Sequence, residues 1–178
     1  MNAQTGNAIV IREIDAAEAK ARLEELGAIL LDAVAQGASV NFLAGFTQAE
    51  AEEFWRGQIP GVADGGRHLL VADDGTTLVG TVVLTKAPQP NQPHRADIGK
   101  MLVLASLRRQ GLGRRLLDAV EALARAQGRT LLMLDTHTGS AGEKLYRNCG
   151  WTEYGVVPGH ALTPDGTPAH TTFFYKRV

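Results

Sequence analysis

A single cysteine, Cys149, stands in the 178 residues, so neither an internal disulfide nor a cysteine-based metal site is available. Its setting, Arg147-Asn-Cys-Gly-Trp151 beside a helix end, suits a small buried hydrophobe better than a nucleophile. No apolar run approaches the length of a membrane span. The first residues, Met1 to Thr5, lack both the basic region and the apolar stretch of a secretion leader, so the cytoplasm is the expected compartment. Charge of one sign is also missing: the net value is −1, and no global field draws the chain to nucleic acid or to an anionic membrane. Repeats and low-complexity tracts are absent. What remains, 44% hydrophobic and 21% charged residues, is ordinary for one folded domain spanning residues 1–178.

Locally the charge is uneven. Between Lys86 and Arg129 stand nine of the 18 basic residues against three acidic ones, a local excess of six. A basic patch confined to one turn fits a compact polyanion, whereas a nucleic-acid track would spread its charge further. Arg114, Arg115 and Arg125 read as the solvated face of a helix. At the centre of the patch, Lys100 to Leu104 reads as an apolar strand, Arg108-Arg-Gln-Gly-Leu-Gly113 as a turn, and the residues up to Gln127 as an amphipathic helix. A turn leading into a helix presents unpaired N–H groups and partial positive charge, which bind phosphate.

Elsewhere, Ala8 to Glu13 reads as a strand, and Asp15 caps a long helix with an apolar stripe at Leu23, Leu26, Leu30, Leu31 and Val34 up to Gly37. Thr47-Gln-Ala-Glu50 is a capping box for a second helix through Trp55, with glycine-rich loop from Gly57 to Gly66. His68–Ala72 and Thr77–Thr85 form a hairpin, and the three prolines between Ala87 and Pro93 demand an extended connection. Arg95–Leu104 is the next strand. The helix after Gly113 buries Leu116, Leu117, Val120, Leu123 and Ala124, with Glu121–Arg125 on its outer face. Thr130–Leu134 is continuously apolar, as a strand buried on both faces would be. A helix over Ala141–Asn148 ends at Gly150. Strands over Thr152–Val157 and Thr171–Lys176 flank the long connection Pro158–His170. The order predicts an α/β fold with a mixed sheet of about seven strands and helices on both faces.

The turn fails the dinucleotide pattern for want of a third glycine at Leu116. It fails the P-loop pattern because Arg114-Arg115 stands where Lys-Ser/Thr is needed. Arg108-x-x-Gly111-x-Gly113 after a strand, Asp135 on the next strand, and Leu145-Tyr146-x-x-x-Gly150-Trp151 beyond it together resemble a GNAT-type N-acetyltransferase. The Gly37–Val40, Leu134–Thr136 and Pro158–Gly166 segments are similar to tabtoxin-resistance-type members of that superfamily.

The resemblance implies a mostly antiparallel GNAT sheet with acetyl-CoA in a cleft between two splayed strands. Its pyrophosphate would lie on the turn formed by Arg109, Gln110, Gly111, Leu112, Gly113 and Arg114, with Arg108 ordering the loop. Glycine is expected at 111 and 113 to let the backbone approach phosphate oxygens. The pantetheine arm would pair with the backbone of Met101, Leu102 and Val103.

An amine must lose a proton to attack, and Asp97 and Asp135 are the candidate bases. Asp97 shares strand parity with Gly99, Met101 and Val103. Relatives carry Glu at its position, so the shorter side chain points to a bridging water, and a solvated strand-end role is equally open. Asp135 could instead cap the next turn through Thr136 or Thr138. Tyr146 matches the position that protonates the departing thiolate. Gly139 and Gly142 depart from the Asn and Ala of many relatives.

His137 and His160 border the acceptor pocket and more naturally shape the substrate than hold a metal. Phe42, Phe46 and Trp55 are aromatic material for the same pocket. The expected function is transfer of an acetyl group from acetyl-CoA to a primary amine of a small molecule, amino-acid-like or a toxin or antibiotic, by direct attack in a ternary complex. The chain would act as a monomer or homodimer, with Pro158–His170 as a lid. The alternative is a non-catalytic acyl-CoA-binding sensor, and a third reading is acetylation of a protein N-terminus or lysine.

Overall fold

A computed structural model describes residues 8–178; Met1 to Thr5, read above for a leader, lie outside them. Seven strands form one sheet in the order β1-β2-β3-β4-β5-β7-β6. They are β1 (Val10–Ile14), β2 (Arg67–Asp73), β3 (Leu78–Lys86), β4 (Arg95–Val103), β5 (Leu131–His137), β6 (Thr152–Leu162) and β7 (Pro168–Arg177). Only β4–β5 is parallel, and every other pairing is antiparallel.

Alternation along β2 and β3 builds two cores. Leu70, Ala72, Val82 and Leu84 face α4 (Leu112–Ala126), while Leu69, Val71 and Val83 face α1 (Ala16–Ala21), α2 (Leu23–Ala35) and α3 (Gln48–Ala63). On the α4 side, α5 (Ala141–Asn148) continues the layer over β5. On the other side α2 and α3 pack over β2, β3 and β4. The β5–β7 half of that face is left largely open. Thr130–Leu134 is therefore not buried on both faces: Leu132 and Leu134 are buried, whereas Asp135 on the opposite face is exposed.

Four other expectations change. The first long helix is interrupted at Arg22, whose guanidinium is drawn to Glu25 (2.6 Å) and Asp73 (3.0 Å). The second helix keeps its Thr47–Glu50 capping box but runs on to Ala63 through Gly57 and Pro60, because Ile59 and Val62 pack into the α2–α3 core. Pro158–His170 is not a lid loop. β6 and β7 extend through it as one hairpin, Ala161 opposite Ala169 and Leu162 opposite Pro168, with only the Thr163–Thr167 turn at its tip. That tip docks on the α2–α3 connection, where Ala44 N–H donates to the Pro164 carbonyl (2.7 Å) and the Ser39 hydroxyl to that of Leu162 (3.0 Å).

Last, Glu121 is not on the outer face of α4. It is buried, accepting from Trp151 Nε1 (3.0 Å) and from Lys176 Nζ (2.7 Å), with Arg125 only at 3.8 Å. Lys176→Met leaves that carboxylate without its main partner and should cost about 3–5 kcal/mol in urea denaturation. Glu121→Leu combined with Lys176→Met should recover most of the loss.

Candidate active site at the splay of strands β4 and β5

β4 and β5 pair only over Arg95–Leu131, Ala96–Leu132 and Asp97–Met133. Beyond Asp97 they diverge, and β4 residues 98–103 keep hydrogen bonds to β3 alone. Their other edge opens onto a gap whose far wall is β5 from Leu134 onward. Met101, Leu102 and Val103 line it.

The parity expected of β4 is broken midway. Lys100 sits at φ +46, the register with β3 slips between Thr81 and Val83, and the Thr81 hydroxyl donates to the Lys100 carbonyl (2.8 Å). This is a β-bulge. Asp97 and Gly99 therefore share their face with Leu102, while Met101 and Val103 turn to the α4 core.

At the end of β4 the chain makes a short 3₁₀ turn, Ala105–Leu107, and enters α4 through residues 108–111. Arg109 (φ +63) and Gly111 (φ +81) both adopt the left-handed region, which curves the backbone into a concavity. No N–H from Arg109 to Arg114 is spent on a turn, strand or cap within the described residues; the first bond into the helix is Arg115 N–H to the Gly111 carbonyl (3.1 Å). Arg108 holds the entry: its Nε donates to the Val103 carbonyl (3.0 Å), and its guanidinium lies 3.7 Å from Asp32, which also accepts from Ala105 N–H (2.9 Å). Asp32, on α2, carried no signal in the sequence.

The protein itself gives each of the two glycines a further reason. Gly111 is required by its positive φ, and a Cβ there would meet nothing. A Cβ on Gly113 would lie 3.2 Å from Leu145 and 4.0 Å from Met101, so that glycine lets α4 sit close to α5 and β4.

Tyr146 and Asp135 lie on opposite faces of the sheet at this gap. Tyr146 is buried on the α4–α5 side between Trp151 and Phe174, ring centroids 6.0 and 6.1 Å away. Its hydroxyl has no hydrogen-bond partner among the described residues. Burial, with the charge of Asp135 adding, holds its pKa well above the ordinary phenol value. A Cβ on Gly142 would press on the Thr136 hydroxyl (3.1 Å) and would make only ordinary contact with the Tyr146 ring (3.6 Å). Gly139 occupies a left-handed turn (φ +82) before α5.

Asp135 faces the open half of the sheet. It is accessible to water yet ringed by protein, as a group on the floor of a cleft is. Desolvation raises its pKa; His160 and Lys100 pull it back, and Asp97 raises it further. Asp97 is on the same face, but its carboxylate is engaged by Arg95 at 3.2 Å. His160 packs edge-on against Phe173 (5.2 Å), the residue opposite Asp135 on β7, and Tyr154 lies 6.0 Å from the same ring. His137 shares the face of Asp135, two residues on. No cluster of metal-ligating side chains occurs among the described residues.

Phe42 and Phe46 stack (4.1 Å) at the wall facing β4. Trp55, expected there too, is buried in the α2–α3 core. Phe54 takes its place, edge-on to Phe42 at 5.3 Å. The helix phase explains the exchange: capping at Thr47 sets Ala51 and Trp55 inward and turns Phe54 toward β4. Cys149 is half-buried against the α4 core, and burial raises its thiol pKa, consistent with a packing role.

Several solved structures share this architecture. A Salmonella typhimurium protein assigned as an acetyltransferase, solved with its cofactor acetyl-CoA, superposes with a TM-score of 0.75 at 18% identity over 96% of this chain and 94% of its own. An N-acetyltransferase from Staphylococcus aureus Mu50 gives 0.78 at 17% over 96% and 99%. A ribosomal-protein-alanine N-acetyltransferase from Brucella melitensis gives 0.70 at 23% over 95% and 99%. At these identities the likeness establishes the fold. The family model for the acetyltransferase (GNAT) family matches residues 31–151, from α2 through the diverging strands to Trp151. The chain therefore belongs to the GNAT acetyltransferase family, whose cosubstrate is acetyl-CoA.

Proposed function

We propose that this protein is an N-acetyltransferase that acts on a primary amine of a small molecule by direct attack, with both substrates bound together. The observation that carries the reading is the gap beyond Asp97. It has free N–H groups at one end, a buried phenol on one face and a desolvated carboxylate on the other. The tabtoxin-resistance type is the subfamily whose sequence pattern fits best.

Acetyl-CoA supplies an activated acetyl group. The N–H groups of residues 109–114 would hold its diphosphate, and the free edge of Met101–Val103 its pantetheine arm. Asp135, directly or through an ordered water, takes a proton from the attacking nitrogen, and its raised pKa suits that task. Asp97, already paired with Arg95, adds negative charge beside it. Tyr146 stays protonated and donates to the departing sulfur, its proton being restored from solvent.

Release of free thiol from acetyl-CoA across a panel of amino acids, polyamines, aminoglycosides and dipeptides tests the reading. Turnover with at least one amine supports it. Tight acetyl-CoA binding with silence throughout would make the protein an acyl-CoA sensor. For the cradle, Gly111→Ala forces a side chain into the left-handed region at about 1–2 kcal/mol. Titration calorimetry should then show acetyl-CoA affinity weakened by about 5- to 30-fold. An unchanged affinity would remove residues 109–114 from the cofactor site.

A further inference from the structure

Lys100 is not explained by the roles above. Its backbone is in the left-handed region although Gly99, which could adopt that conformation at no steric cost, is its neighbour. Strain of this kind persists where surrounding structure enforces it and concentrates at functional sites. Here the Thr81 hydroxyl pins the Lys100 carbonyl, and the bulge keeps the lysine on the acceptor side of the sheet.

The side chain is half-buried there. Its ammonium lies 5.1 Å from the centre of the Phe54 ring and 6.0 Å from that of Phe42, within range of cation–π attraction. It forms no ion pair with any carboxylate among the described residues, unlike Arg12, Arg22, Arg95, Arg147 and Lys176. Asp135 is near enough for its charge to oppose the drop in pKa that desolvation imposes on the lysine. The acceptor cleft thus holds Lys100 and Asp135 on a shared face, beside the mutually paired Arg95 and Asp97, with Phe42, Phe54 and Phe173 as aromatic walls.

We propose that Lys100 is a specificity-determining residue that binds a carboxylate of the acceptor, so that the substrates are amino acids. The inference rests on the acetyltransferase reading. A zwitterion matches the site end for end: its ammonium approaches Asp135, which removes the proton, and its carboxylate meets Lys100, which lacks an anionic partner. A polyamine or aminoglycoside would bring only positive charge to Lys100.

The test pairs each common L-amino acid with its own carboxamide, alongside amines that carry no carboxylate, in the thiol-release assay. For the amino acid turned over best, kcat/KM should exceed that of its amide by about 10- to 100-fold, the scale of a charge-assisted contact. In Lys100→Met that ratio should collapse toward one, while KM for acetyl-CoA stays within twofold. Lys100→Gly keeps the bulge without strain, so it should fold at least as stably and lose the ratio equally. Activity confined to amines without a carboxylate would overturn the inference and leave the acetyltransferase intact. So would a ratio unchanged in both variants. Silence with every amine would sink the acetyltransferase reading itself.

Discussion

Asp135→Asn should lower kcat by about 10²- to 10⁴-fold, the range a positioned proton acceptor contributes, while the melting temperature holds or rises. The first half follows from chemistry, since an amide oxygen of the same size cannot take the proton that an attacking nitrogen must lose. The second half follows from linkage. Partial desolvation on the floor of the cleft makes the folded state hold the Asp135 proton more tightly than the unfolded chain does. As pH rises from the unfolded pKa through the higher folded one, the fold loses stability, and above that window the penalty stays in full. Asparagine carries no charge and escapes it at pH 7. In the wild type the acidic limb of kcat should accordingly lie above the ordinary aspartate value and vanish in the variant. Paired rate and melting measurements check this. A fall in melting temperature alongside the lost activity would assign Asp135 to the scaffold.

Tyr146→Phe should cost about 10²-fold in kcat with little change in KM for acetyl-CoA. The hydroxyl bonds to no described residue, and the ring keeps its place between Trp151 and Phe174, so the stability change should stay below about 1.5 kcal/mol. Because its pKa is raised, the phenol contributes no alkaline limb of its own at working pH. Acetyl thioesters of more acidic thiols give the sharper test. A leaving group that needs less protonation should narrow the gap between wild type and variant. A constant gap across such thioesters would mean that Tyr146 only packs.

Strand count, both capping signals and the glycine turn leading into α4 were legible because each depends on local sequence: the Asp73–Thr76 turn between β2 and β3, Thr47 with Glu50, Arg108 to Gly113. What was not legible depends on meetings across the chain. Glu121 looks like a surface residue until Lys176, 55 positions later, is brought beside it. Trp55 reads as pocket material and its neighbour Phe54 carries no such signal, and only the packing of α3 exchanges the two. Pro158–His170 lacks strand composition, yet the pairing of Ala161 with Ala169 imposes it. The β4 bulge was hidden because lysine gives no hint of a left-handed backbone, and Lys100 was missed with it.

One consequence of that extra residue concerns chain length. The two halves of β4 run out of phase, and the phase difference is a single position wide. Deleting either Gly99 or Lys100 would restore simple alternation and turn the downstream segment inside out. Met101 and Val103 would then point at α2 and α3, and Leu102 at α4. The Ala87–His94 connection lies outside any strand and fixes no side-chain alternation, but at 99–100 the count of residues is itself part of the design.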